Sequence, residues 1–336
     1  GPPFVSRLAI IGAGSWGTSL AIVLSPRFEE VALWVRQPAA ALELQERRVN
    51  ARYLPGFHLP NNVEPTSDLA GALNGASFVL SAVPSRYLRT LYCEMLPHIS
   101  PEMCFISATK GIENGTLLRM SSLIEEVIAP HFSPRIAVLS GPTFAKEIAE
   151  GEPAAVVIAA RDSKLASAVQ AELSGPSLRL YTSNDVIGVE IGAAMKNVIA
   201  IGAGICHGLG LGSNSVAALV TRGLAELTRL AVRLGGEART LSGLAGLGDL
   251  VLTATGALSR NRFVGTQLAH GRSLTEIYGS MTQVAEGIDT CRAAHALSRK
   301  VNVEMPIAEA MYEILYRGKP VQSAIRELME RPLTSE

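Results

Sequence analysis

Short apolar, β-branched runs alternate with amphipathic stretches through the first half of the chain. The runs are LAIIG (8–12), VALWV (31–35), SFVLSAV (77–83), MCFISAT (103–109), RIAVLSG (135–141) and AAVVIAA (154–160), and each ends in polar or turn residues. Such runs, separated by helical segments, predict a parallel sheet covered on both faces. After about residue 185 the alternation stops, and the rest reads as helices broken by glycine-rich loops such as GLGLGSN (208–214) and GLAGLGD (243–249). The change falls at YTSNDVIG (181–188), where Thr182, Ser183, Asn184 and Asp185 offer N-caps for a long helix. The pattern predicts an α/β domain over 7–185 and an all-helical domain over 186–332.

The first run leads straight into three glycines, Gly12, Gly14 and Gly17, in AIIGAGSWGTSLA. A strand that turns tightly into a helix leaves the first amide hydrogens of the helix unpaired, which makes a site for an anion such as a pyrophosphate. In the dinucleotide-binding pattern Gly12 makes the turn, Gly14 admits the ligand to the backbone, and Gly17 lets the helix pack on the strand. A strand before the motif, a helix after it and a second strand on schedule together predict a doubly wound, Rossmann-type sheet that binds NAD or NADP.

In this pattern the second strand usually ends in an acid that holds the ribose hydroxyls of NAD. Here Arg36 stands in that place, and Glu29 and Glu30 precede the strand, at the wrong end of the sheet. An arginine there suits the 2′-phosphate of NADPH, so NADPH is the expected preference, against the alternative of a solvated surface arginine.

Composition narrows the partners. The 336 residues carry 30 basic and 30 acidic side chains, a balance without the electrostatic footprint of a nucleic-acid binder. The cysteines, Cys93, Cys104, Cys206 and Cys291, have no paired spacing, so neither a disulfide framework nor a metal site is expected, and reduced thiols suit a cytoplasmic protein. The opening GPPFVSR shows no export pattern. The stretch 186–205 is apolar enough to suggest a membrane span, but Glu190 and Lys196 inside it favour a buried helix of a globular domain.

Ligands of open α/β sheets bind beyond the carboxyl ends of the strands, where Pro84, Ser85, Lys110, Gly141, Pro142 and Thr143 fall. The chain has only six lysines against 24 arginines. Lys110 and Lys196 therefore stand where an ammonium, which can be tuned to exchange a proton near neutral pH, does what a guanidinium cannot. Gly188, Gly192 and Lys196 are spaced by four, so they share one helical stripe along which a ligand or strand can approach closely; a snorkelling lysine at a domain seam is the plainer alternative. Histidine offers less: His58 reads as a loop residue, His98, His131 and His270 as surface, His295 as helical, and His207 as a loop residue near the site.

The segments GAGSWGTSLA, SATKGIENG, SGPTFAKEIAEGEPAAVVIA, EIGAAMKNVIAIGAGICHGLGLGSNSVAALVTRG and GLAGLGDLVLTATGALSRNRFVG occur in the order seen in the bacterial NAD(P)-dependent glycerol-3-phosphate dehydrogenases, and the resemblance runs from about residue 8 to about 329. It implies a helical C-terminal domain similar to that of 6-phosphogluconate dehydrogenase, and reversible reduction of dihydroxyacetone phosphate to sn-glycerol 3-phosphate for phospholipid synthesis. Position by position, it implies cofactor contacts at Ser15, Trp16, Arg36, Tyr53, Lys110, Ala145, Arg260, Val284 and Glu286. Substrate contacts fall on Lys110, Gly141, Thr143, Lys196, Asp249, Ser259, Arg260 and Asn261. Lys196 is the implied proton donor and acceptor, with Asp249 orienting it and Arg260 forking onto the phosphate. Asp249 as a loop cap and SRNR (259–262) as a basic surface turn are the plain alternatives. Another dehydrogenase of the 6-phosphogluconate and β-hydroxyacid superfamily is the rival enzyme, and a catalytically silent nucleotide sensor is the rival of another class. The apolar faces of the helical domain suggest a homodimer.

Overall fold

The computed structural model describes residues 6–283 and 285–336. Ten strands are present among the described residues: β1 Arg7–Ile11, β2 Glu30–Trp34, β3 Val49–Asn50, β4 Leu54–His58, β5 Val63–Thr66, β6 Ala76–Ser81, β7 Cys104–Ser107, β8 Arg135–Ser140, β9 Ala154–Ala159 and β10 Leu178–Ser183. Eight form one sheet in the order β10-β9-β8-β7-β6-β1-β2-β5, and β3 and β4 form a separate antiparallel hairpin. All six apolar runs are strands. Four further strands were not predicted, each for a local reason. β5 contains Pro65, which suits only an edge; β10, at the other edge, exposes Arg179 and Tyr181 while burying Leu178 and Leu180. The hairpin strands are short, and β4 is mostly exposed; His58 lies in it rather than in a loop.

The sheet is covered on both faces, as the continuous apolar runs require. On one side Leu8, Ile10, Val31 and Leu33 pack with Leu20 and Leu24 of the first helix, Ser15–Leu24. On the other Ala9, Ile11, Trp34 and Phe105 pack with Leu88, Leu91 and Tyr92 of the helix Leu88–Met95 and with Leu123, Ile124 and Ile128 of Met120–Ile128.

The expectation of a wholly parallel sheet needs correction: β9 runs antiparallel to β8, and β10 follows β9 in parallel. A parallel return must carry the chain back along the whole strand. Between β8 and β9 the only helix is Ala145–Ala149, five residues and so about 7.5 Å long, against about 20 Å for a six-residue strand. It stays at the carboxyl end of β8, tied to the first helix by the Ser19 hydroxyl donating to the Ala145 carbonyl at 2.8 Å, and β9 therefore starts from that end.

Beyond Ser183 no strand occurs among the described residues. Asp185 caps the helix Val186–Gly208, its carboxylate accepting from the Gly188 amide at 2.9 Å. This helix has the length and hydropathy of a membrane span, yet 94% of its most apolar window is buried inside the fold. Ile191, Met195, Val198 and Ile201 form a core with Leu227, Leu230, Val264, Ile288 and Met311 of the surrounding helices.

Candidate active site between the sheet and the helices

The glycine turn at the end of β1 has the backbone geometry that the spacing predicts for Gly12 and Gly17. Gly12 sits at φ +117°, and a Cβ there would lie 2.9 Å from the Ala82 carbonyl oxygen; a Cβ on Gly17 would lie 1.9 Å from the Gly12 carbonyl oxygen. Gly14, by contrast, faces open space, with nothing within 4 Å of an added Cβ. It is the N-cap of the ten-residue helix Ser15–Leu24, whose N-terminus no side chain caps. The indole Nε1 of Trp16 in its first turn is buried without a hydrogen-bond partner. Open backbone, uncapped amides and an orphaned donor fit a dinucleotide pyrophosphate there.

Asn50, which the sequence reading passed over, braces this turn: its buried amide donates to the Ala13 carbonyl and the Thr18 hydroxyl, both at 2.9 Å. It also accepts from the Tyr53 amide, which sets the hairpin carrying Tyr53 beside the glycine turn. Arg36, just past β2, lies over the Trp34 ring at 5.2 Å and pairs with Glu94 at 3.2 Å, with both side chains substantially exposed. Such a pair is weak and is free to exchange for an anion. Val284 lies outside the described residues.

Three elements converge at the seam. Lys196 projects from the long helix, Lys110 from the loop after β7, and Asp249 opens the helix Asp249–Thr255 after a π-helical turn over Leu244–Gly248. Asp249 is wholly buried and bridges both lysines: Lys196 Nζ donates to Oδ1 at 2.5 Å and Lys110 Nζ to Oδ2 at 3.1 Å. Lys196 also donates to the Thr253 hydroxyl at 2.9 Å, and that hydroxyl donates to the Asp249 carbonyl at 2.7 Å. An ammonium has three protons, so one remains unspent by the bonds seen. Thr253 was not anticipated, although its position four residues after Asp249 puts both on one helical face.

Burial pushes the Lys196 ammonium down to about 7; Asp249 opposes the fall and the Lys110 charge adds to it. Repulsion between the two lysines is therefore secondary to desolvation. The Gly188–Gly192 stripe also needs correction. What approaches it is protein: a Cβ on Gly192 would lie 2.6 Å from the Ala245 carbonyl oxygen, and one on Gly188 3.1 Å from Thr240 Cβ. The stripe seats the turn that delivers Asp249, and no ligand fits along it.

Around this centre, Asn261 is buried, its amide donating to Asn197 Oδ1 at 3.1 Å while its oxygen accepts from the Gly287 amide at 2.9 Å. Asn197, adjacent to Lys196, is a further neighbour that was not anticipated. Ser259 caps the helix Arg260–Ala269 by accepting from the Arg262 amide, and Arg260 Nη1 donates to Gln283 Oε1 at 2.6 Å. Glu286, at the start of the helix Glu286–Lys300, accepts from the Ser85 amide at 3.1 Å and the Ser85 hydroxyl at 2.7 Å, with burial pushing its carboxyl up. Gly141 abuts Val156 of β9, where a Cβ would come 2.8 Å from its Cα, and accepts a hydrogen bond from the Thr143 hydroxyl at 3.2 Å; Ala145 begins the next helix. No histidine replaces the lysines: His207 is an exposed residue in the last turn of the long helix, and His295 is held by Glu309 at 2.7 Å and stacked on Tyr312 at 3.6 Å.

A glycine-rich turn of the dinucleotide-binding pattern, in a fold that joins a Rossmann-type sheet to a helical domain with a buried lysine at their seam, fits the class of nicotinamide-dependent dehydrogenases. Residues 7–166 match the family model described as the NAD-dependent glycerol-3-phosphate dehydrogenase N-terminus, and 185–326 match that of its C-terminus. The chain belongs to this family. It is 55% identical over 334 residues to a glycerol-3-phosphate dehydrogenase [NAD(P)+] of Koribacter versatilis, covering 99% of each chain. A protein of the same name from Geobacter sp. is 49% identical over 330 residues, covering 98% of each. The crystal structure of the Coxiella burnetii glycerol-3-phosphate dehydrogenase superposes with a TM-score of 0.93 at 39% identity, covering 98% of this chain and all of that one.

Proposed function

We propose that this chain reversibly reduces dihydroxyacetone phosphate to sn-glycerol 3-phosphate with NADPH or NADH. The observation that carries the mechanism is the carboxylate of Asp249 shared by Lys196 and Lys110 at the junction of sheet and helices. When bound, the nicotinamide supplies the hydride that reaches C2. Negative charge then grows on the C2 oxygen, and Lys196, poised near neutral pH, stabilises it and donates the proton. Asp249 and Thr253 aim the ammonium, and Lys110 completes a cationic wall that favours the developing alkoxide. Arg260 offers a planar fork to the phosphate, with Ser259 and Asn261 beside it. The dinucleotide lies along Gly12, Gly14, Ser15, Trp16 and Gly17, reaching Tyr53, Lys110, Ala145, Arg260, Val284 and Glu286. Arg36 leaves Glu94 for the 2′-phosphate and favours NADPH.

In this reading 7–185 is the nucleotide-binding domain and 186–332 carries the substrate side. The enzyme works as a cytoplasmic homodimer and supplies phospholipid synthesis. The test follows loss of nicotinamide absorbance with dihydroxyacetone phosphate and, as control, unphosphorylated dihydroxyacetone. Rapid oxidation that requires the phosphate is expected; NADPH binding without turnover would move the assignment to a related hydroxyacid substrate.

A further inference from the structure

Lys196 and Lys110 come from separate parts of the chain, and something must keep them on one carboxylate. Glu190 lies on the same helix as Lys196, six residues earlier and about 9 Å along its axis, and is only 4% exposed. Its carboxylate accepts from Arg119 Nη1 at 2.7 Å, from the Ser121 amide at 2.9 Å and from the Ser121 hydroxyl. Arg119 is the N-cap of the helix Met120–Ile128, so the buried carboxylate also faces the positive end of that helix.

The segment held in this way leads back to Lys110. Arg119 forms an antiparallel bridge with Ile112, and the Glu113 amide donates to the Leu118 carbonyl at 2.9 Å. Residues 112–119 are thus a closed loop, and fixing its Arg119 end fixes Ile112, two residues from Lys110. Nothing in the proposed proton transfer uses Glu190.

We propose that Glu190 is a positioning residue for the reaction: it clamps the Lys110-bearing loop to the Lys196-bearing helix so that both ammoniums meet on Asp249. The proposal rests on the reading of Lys196 as proton donor. A charged carboxylate is needed because it must satisfy a guanidinium, an amide and a hydroxyl at once in a largely buried site.

The variant Glu190→Gln keeps the size of the side chain and removes its charge. Misplacement of Lys110 lowers kcat by about 10- to 100-fold at saturating substrate and NADPH. It also releases Lys196 from the neighbouring positive charge, so the alkaline limb of the kcat profile for reduction moves to higher pH. A merely structural role would leave that limb in place. Ser121→Ala, which removes one donor and leaves the ion pair, shifts both quantities in the same direction by less, and decides the matter if Glu190→Gln does not fold. Unchanged kcat in the folded variants, or a lower kcat with an unmoved alkaline limb, overturns the clamp. Normal turnover by Lys196→Met would instead overturn the proton-donor reading beneath it.

Discussion

Replacing Asp249 by asparagine removes one negative charge from the centre and almost no volume. In the native site burial drives the Lys196 ammonium down to about 7 and the Asp249 carboxylate, 2.5 Å away, limits the fall. With an effective dielectric of about 20, two unit charges about 4 Å apart interact by about 4 kcal/mol, or about three pH units of titration midpoint. The variant lysine is therefore neutral across the neutral range. The protonated fraction at pH 7 drops from about one half to about one in a thousand, and kcat for ketone reduction drops by about 10²- to 10³-fold. The distinguishing sign is in the pH profile. As pH falls from 8 to 6 the variant gains close to tenfold in rate per unit, whereas the wild type levels off below 7. Steady-state kinetics with saturating NADPH and dihydroxyacetone phosphate read this directly. A variant within about threefold of wild-type kcat, or with the same midpoint, would refute the assignment of Asp249 as the group that keeps Lys196 charged.

Two further predictions concern stability and the nucleotide turn. Glu226 is buried, accepting from the Ile307 amide at 2.6 Å and the Ala308 amide at 3.2 Å, and burial pushes it up to about 7. Because the folded state holds its proton between about 4.5 and 7 and the unfolded state does not, this group loses up to about 3 kcal/mol of stability as pH rises through that window. The Glu226→Gln variant lacks this loss, so its Tm relative to wild type should rise between pH 5 and pH 8; a pH-independent difference would contradict it. Gly17→Ala, with its Cβ 1.9 Å from a carbonyl oxygen, should lower Tm sharply, whereas Gly14→Ala should leave Tm unchanged and weaken NADPH binding. Melts and fluorescence titrations check both, and undiminished binding by Gly14→Ala would remove the pyrophosphate from that position.

Where a single periodic or spacing rule governs a segment, the sequence was sufficient. The six apolar runs became strands because each is buried on both faces, and Gly12 and Gly17 took the turn and packing parts that their spacing implies. Lys196, Lys110 and Asp249 could be picked out by residue type and resemblance, but their meeting on one carboxylate depends on tertiary packing across 139 residues between Lys110 and Asp249. The antiparallel β9 was hidden because its composition matches that of a parallel strand, and only the shortness of the preceding helix reveals its direction. Gly188 and Gly192 illustrate the ambiguity of small residues: the spacing shows that something approaches closely, and packing decides that it is the Ala245 turn. Glu190, an acid in an apolar helix, was read as evidence against a membrane span, and its bond to Arg119 lay beyond any local pattern.

The central claim is that Lys196 moves the proton. Its most direct test is kcat for Lys196→Ala alongside the Kd for NADPH. The account predicts a loss of about 10²- to 10⁴-fold in kcat with NADPH binding retained. Near-normal turnover by a folded, NADPH-binding variant would contradict it.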